Sequence, residues 1–259
     1  MFFRRSKKRE PKAGFRIPEG KRVYAIGDVH GRLDCFRALL DLIDQDDRSR
    51  PSASVELILL GDLVDRGPDS AGVVSLAQEL INGSENVQLI KGNHEEVFVA
   101  ATQGDSGAAK ALIQLGGYAT LESYGISRAE ADYGTFRDLA KLLGERIPKD
   151  HVKFLAAGRE MVTIGDYAFV HAGVRPGIPL DQQKAGDLRW IREPFLSTGR
   201  NDGHMVVHGH TPRPEFEERF DRIGIDTGAY NSGVLTAVGL EGPDRWFLQT
   251  ALATDTIGL

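Results

Sequence analysis

Cysteine is almost missing from this sequence: Cys35 stands alone among 259 residues. That excludes an internal disulfide and a thiolate zinc cluster, so folding does not depend on oxidation and a reducing cytoplasm suits the chain. With no activating partners arranged around it, Cys35 reads as a small buried hydrophobe. Long apolar runs are missing too. None approaches the roughly 20 residues that cross a bilayer, so no stable membrane association is expected. Nor is positive charge in excess: the net charge is −5, which offers no basic track for a nucleic-acid backbone.

What is present is an ordinary globular mixture, 41% hydrophobic and 27% charged, long enough for a sizeable core. Residues 1–20 begin with a basic cluster and lack the apolar stretch of a secretory signal, so they read as a solvated, disordered tail. From residue 21 to 259 one domain is expected. Within it, β-prone runs end in polar loops: Val23 to Ile26 leads to Asp28 and His30, Val55 to Leu60 to Gly61–Gly67, and Val87 to Ile90 to Gly92–Glu95. Between the first two runs Phe36, Leu39, Leu40 and Ile43 recur at helical spacing, with a break expected from Asp46. Between the second and third, Asp69 or Ser70 can cap a helix carrying Val73, Val74, Ala77 and Ile81.

Asp28 to Asp62 is 34 residues and Asp62 to Asn93 is 31, each close to one strand-helix-strand unit. The three loops therefore fall at the same ends of three parallel strands, where open α/β sheets place their ligands. Residues 98–159 read as a helical insertion, with helices at 108–115, 135–143 and 149–157 and a helix start at Val97. His151 on it reads as a surface or satisfied core histidine. A hairpin of Met161–Ile164 and Tyr167–Val170 follows, the second strand ending in His171. Met205–Val207 runs into His208, Gly209 and His210. Further strands near 223, 233–238 and 245–249 suggest a mainly antiparallel second sheet.

Strand-end donors thus number Asp28, His30, Asp62, Asn93, His171 and His210, enough for two cations. One ion takes Asp28 and His30, the other Asn93, His171 and His210, and Asp62 can bridge. Nitrogen and oxygen ligands without thiolate favour Mn²⁺, with Fe²⁺ or Zn²⁺ as alternatives. His208 reads as a structural neighbour of the site, His204 as a loop residue, and Asp226 as either a supporting carboxylate or turn chemistry.

These residues resemble the metallophosphoesterase signature D-x-H, G-D-x-x-D-R-G, G-N-H-E, H and G-H. Arg66, and Pro212 in the place of a second His after Gly209-His210, make the chain similar to the phosphoprotein phosphatase branch, which includes bacterial and phage serine/threonine phosphatases. The resemblance implies an α/β fold of two mixed sheets packed as a sandwich and flanked by helices. It also implies a cytoplasmic hydrolase acting on phosphoserine and phosphothreonine, with phosphotyrosine as a further option, in a protein or peptide. A hydroxide bridging two metal ions would attack phosphorus directly, without a covalent enzyme intermediate. Arg66, Arg192 and Asn93 would hold the phosphate oxygens. His94 would protonate the leaving alkoxide, with Asp65 on its other N–H. Arg192 matches the family's Trp-x-Arg segment, with Arg189 as its competitor. Symmetric hydrolysis of dinucleoside tetraphosphates uses a similar motif set and is the nearest alternative; a phosphate-binding module without turnover is the alternative of another class.

Overall fold

The computed structural model describes residues 14–199 and 203–250. Alternation along β1 (Lys21–Ile26) sends Val23 and Ala25 to one face and Tyr24 and Ile26 to the other, into two different cores. β2 (Ser54–Leu59) and β3 (Val87–Leu89) lie parallel beside it. They are reached through α1 (Leu33–Arg48) and α2 (Ser70–Gly83). Helix α1 buries Cys35, Phe36, Leu39 and Ile43 at helical spacing and continues through the expected break to Arg48. Asp69 caps α2, its Oδ1 accepting the Gly72 N–H at 2.8 Å.

Segment 98–159 is helical as expected, with different boundaries. α3 (Asn93–Thr102) begins four residues before Val97, so Asn93 and His94 stand on its first turn. α4 (Ser106–Gln114), α5 (Gly117–Ser123), α6 (Arg128–Ala131), α7 (Phe136–Arg146) and α8 (Lys149–Ala156) follow. Helices α5 and α6 fall between the expected helices at 108–115 and 135–143, where none was expected. His151 is a satisfied core residue, with Nδ1 2.9 Å from the Tyr124 hydroxyl and Nε2 3.4 Å from Ser75 Oγ.

β4 (Met161–Ile164) and β5 (Tyr167–Val170) form the expected hairpin. After α9 (Ala185–Trp190) come β6 (Met205–His208), β7 (Glu217–Glu218), β8 (Arg222–Gly224), α10 (Ala229–Ser232), β9 (Thr236–Glu241) and β10 (Asp244–Gln249). The sheets run β10-β9-β1-β2-β3 and β4-β5-β6-β8-β7.

Both sheets are mixed, and this corrects the expectation of a mainly antiparallel C-terminal sheet. β5, β6 and β8 are mutually parallel, while β9 and β10 cross over to join the first sheet, β9 antiparallel to β1 and β10 antiparallel to β9 at the edge. Apolar alternation reports a buried face but not the neighbouring strand, so sheet membership was open. The core between the sheets takes Val23, Ala25, Ile58 and Leu60 from one side and Phe169, Val207 and Ile223 from the other. On the outer face of the first sheet α1 and α2 meet the strands and α3 to α8 extend the same core by packing on helices, while α9 packs on the second sheet.

The expected tail also needs correction. Its residues 1–13 lie outside the described residues, but Ile17 is buried in the inter-sheet core and Phe15 packs on Tyr167. The Ile17 N–H donates to the Gly242 carbonyl at 2.9 Å. Alternating apolar residues here close one end of the sandwich. Among the described residues no helix is long and apolar enough to cross a membrane.

Candidate active site

The carboxyl ends of β1, β2, β3, β5 and β6 converge, and the five loops leaving them carry every donor picked from the sequence. Their backbone is unusual. The non-glycine residues with positive φ among the described residues are His30, Asp62, Asp65, Arg66 and His210, all in these loops. Such conformations cost about 1–3 kcal/mol each and persist where the surroundings fix them. Glycine permits the close approaches: a Cβ at Gly209 would overlap the Asp28 carboxylate, and one at Gly92 would overlap that of Asp62.

Glu95 supplies much of the fixing. Its fully buried carboxylate accepts the N–H groups of Asp62 and Gly92 on Oε2, both at 2.8 Å, and of Leu63 on Oε1 at 2.7 Å. One side chain therefore ties the loop after β2 to the loop after β3. Its position three residues after Gly92, at a helix start, was the available signal for that role.

Two groups of donors form around Asp62. His30, Asp62 and His94 bring ligand atoms within 4.8 Å of one another, and so do Asp62, His171 and His210. All are buried. Asp28, expected beside His30, turns both carboxylate oxygens to the His210 N–H, at 3.1 and 3.0 Å, and stands outside these two groups. Asn93 joins the second: its Oδ1 is 2.9 Å from His171 Nε2 and 2.8 Å from His210 Nδ1.

The donor set fits cations. His30 Nδ1 donates to the Val64 carbonyl at 2.7 Å and His171 Nδ1 to the Leu60 carbonyl at 2.8 Å, which leaves each Nε2 lone pair facing inward. His171 Nε2 then meets the oxygens of Asn93 and Asp62, the latter at 3.4 Å. Lone pairs converging in this way are stabilised by positive charge between them. His210 Nε2 is buried with no hydrogen-bond partner.

The electrostatics divide the histidines. Burial pushes His30 and His210 down to about 3, so both are neutral at neutral pH. Burial also opposes the charged form of His94, but Asp62 and Asp65 outweigh it and raise its proton affinity. His94 Nδ1 sits 2.7 Å from Asp65 Oδ2. Asp62 is held well below the usual carboxylate range, burial being overcome by His171 and His94. Asp28 is pushed well above it by burial and by the neighbouring charges of Asp226 and Asp62.

Arg66 spans the opening. Nη1 is 2.9 Å from His30 Nε2 and Nη2 is 3.0 Å from His94 Nε2. The two arginines of the Trp-x-Arg region separate clearly. Arg189 is tied to Glu96 and Glu160 at 3.3 Å each, whereas exposed Arg192 lies near enough to His210 to lower its proton affinity. Two aromatic side chains, absent from the expected set, flank the opening. Trp190 is edge-on to His210 at 6.5 Å and Tyr230 edge-on to His30 at 5.5 Å, each with part of its ring exposed.

His208 faces away and packs edge-on to Phe195 at 5.0 Å, outside both donor groups. His204 lies in the loop before β6. Asp226 combines both of its expected roles: Oδ1 accepts the Gly228 N–H at 2.9 Å, and its charge acts on Asp28.

The model of the calcineurin-like phosphoesterase family matches residues 21–236. Serine/threonine-protein phosphatase 1 of Salmonella typhimurium is 26% identical over 226 residues, covering 85% of this chain and 93% of that protein. The symmetrical bis(5'-nucleosyl)-tetraphosphatase of Nitrosospira multiformis is 27% identical, covering 88% of this chain and 95% of that one. Among solved structures, that of a candidate diadenosine tetraphosphatase has a TM-score of 0.62 at 23% identity, covering 90% of this chain and 95% of its own. At that identity the likeness speaks to the fold.

Proposed function

Because the chain belongs to the calcineurin-like phosphoesterase family, we propose that it is a dinuclear-metal phosphoprotein phosphatase, a hydrolase of phosphoserine and phosphothreonine. Asp28, His30 and Asp62 would hold one divalent cation, and Asp62, Asn93, His171 and His210 the other, with Mn²⁺ the first choice. Two such ions supply Lewis acidity and make water a nucleophile near neutral pH.

The observation that carries the substrate class is the Asp65–His94 pair. His30 and His171 are backed by neutral carbonyls, which suits a ligand. His94 Nδ1 meets the Asp65 carboxylate 2.7 Å away, and the charges of Asp62 and Asp65 together raise its proton affinity, as a proton donor requires. In the reaction one P–O bond to the leaving oxygen breaks and one from water forms. His94 Nε2 delivers a proton to the departing oxygen. A serine or threonine alkoxide is a poor leaving group and needs that proton, whereas a nucleotide phosphate leaves readily without it.

Arg66 would bind the phosphate with the same fork that meets His30 and His94, exchanging neutral acceptors for anionic oxygens. Arg192 would approach from the other rim. The first relative, a serine/threonine phosphatase over 85% of the chain, agrees with this reading.

One observation favours a second reading, hydrolysis of dinucleoside tetraphosphates. The partly exposed rings of Trp190 and Tyr230 stand one beside each donor group, against His210 and His30, where two bases could stack. Comparing kcat/KM for phosphoserine and phosphothreonine peptides with that for diadenosine tetraphosphate decides between them. Preference for the peptides is expected; preference for the dinucleotide would overturn the substrate class while keeping the site.

A further inference from the structure

We infer that Thr120, on helix α5, is a positioning residue for leaving-group protonation: its hydroxyl fixes the Asp65 carboxylate that orients His94. The inference rests on the reading of His94 as the acid. Asp65 is fully buried, so each of its polar atoms needs a partner within the protein. Oδ2 is taken by His94 Nδ1, and Oδ1 accepts the Thr120 hydroxyl at 2.7 Å. The Asp65 N–H reaches Thr120 Oγ1 at 2.8 Å and Ser70 Oγ at 3.1 Å, and those two hydroxyls are 2.9 Å apart.

Chemistry assigns every proton in this cluster. A carboxylate only accepts and an amide N–H only donates, so Thr120 donates to Asp65 Oδ1 and accepts from the Asp65 amide. Its single proton is then committed, and Ser70 must be the donor in the Ser70–Thr120 pair. Thr120 is saturated, and it grips Asp65 by both backbone and carboxylate.

The grip matters because Asp65 sits at φ 72°, a conformation that threonine's contacts help to hold. With Oδ1 satisfied, Oδ2 is the oxygen presented to His94. Without the Thr120 hydroxyl, Oδ1 becomes a second acceptor and the carboxylate is free to turn. The imidazole would then lose its single orientation. Helix α5 is itself anchored to the same loops: the Arg66 N–H donates to the Gly116 carbonyl at 3.1 Å, and the Ala71 N–H to Ser123 Oγ at 3.1 Å. The helical segment thus reaches the reacting atoms through Asp65 and His94.

Thr120→Val and Thr120→Ser, measured with Mn²⁺ on alkyl, phenyl and p-nitrophenyl phosphates, test the inference. Thr120→Val is expected to lower kcat on alkyl phosphates about tenfold more than on p-nitrophenyl phosphate, whose leaving group needs little protonation, with KM little changed. Thr120→Ser should restore the wild-type profile. Equal losses on all three substrates, or no loss, would reduce Thr120 to packing and overturn the inference. Should Thr120→Val fail to fold, Ser70→Ala removes the proton given to Thr120 and the weaker, 3.1 Å acceptor of the Asp65 N–H while leaving the Thr120–Asp65 contacts, and carries the same comparison; a smaller loss of the same kind is expected, and a flat profile overturns the inference. His94→Asn separates the two levels. If it shows no leaving-group dependence, the general-acid reading falls and the inference with it; if it does and Thr120→Val does not, the inference alone falls.

Discussion

At the start of β1, Arg22 and Tyr24 close a polar cluster in which charges and hydrogen bonds are matched; at its end, Asp28 and His30 open one in which they are not. Buried Arg22 donates to Glu241 at 2.8 Å, to the Pro51 carbonyl at 2.7 Å and to Asp47. Asp46 Oδ2 accepts from Tyr24 at 2.6 Å, Trp246 at 2.9 Å and Arg50 at 2.8 Å. At the other end lie the five strained non-glycine residues, carboxylates that repel one another, and the partnerless atoms His210 Nε2 and Asp226 Oδ2. The first arrangement stabilises the fold. The second withholds stability so that a ligand can supply what is lacking, which is the pattern expected where a sheet end serves chemistry.

The comparison breaks most visibly at His94. His94→Asn should lower kcat on a phosphoserine peptide by about 10²- to 10⁴-fold while calorimetry finds the fold intact. Removing Arg22 should do the reverse. Arg22→Met should destabilise by about 2–3 kcal/mol in urea titration, through lost charge-assisted hydrogen bonds, with kcat of the folded protein unchanged.

Asp46→Asn sharpens the same end. Burial raises the Asp46 proton affinity, but Arg50, Tyr24 and Trp246 outweigh it and hold the carboxyl below its usual range. Its contribution is therefore present above the unfolded-state value and lost as pH falls through the lowered folded one. A deficit of about 1 kcal/mol at pH 7 should shrink at pH 3. The smallest effect has the opposite sign. Burial raises Asp226, so its charged form penalises the fold once pH exceeds the unfolded-state value. In metal-stripped protein, Asp226→Asn should raise the melting temperature at pH 8, by less than about 1 kcal/mol of stability, and the gain should vanish near pH 4. A loss at pH 8 would count against a strained site.

The matched cluster was invisible in the sequence, while the mismatched one was largely legible. Strand-end carboxylates and histidines at intervals near 30 residues mark converging loops, because a strand-helix-strand unit has a fixed length. The membership of β9 and β10 in the first sheet was not legible, since alternation carries no information about which strand lies alongside. The Trp-x-Arg match alone favours Arg192 over Arg189, and the ion pairs that occupy Arg189 supply a physical reason for separating them. Thr120 and Ser70 carry no signal at all: a hydroxyl on a helix is ordinary until its partner, 55 residues away in the case of Thr120 and Asp65, is in place. Residues 14–20 were misread because a polar, glycine-containing stretch hid the two apolar side chains that dock.

The central claim is that the unmatched end of the sandwich is completed by two cations for phosphoester hydrolysis. The most direct test strips the protein of metal and titrates Mn²⁺ back, following bound metal and turnover of a phosphoserine peptide together. Activity should be absent at the start and return in full at two ions per chain. Full activity in the stripped protein, or its complete return at one ion per chain, would contradict the account.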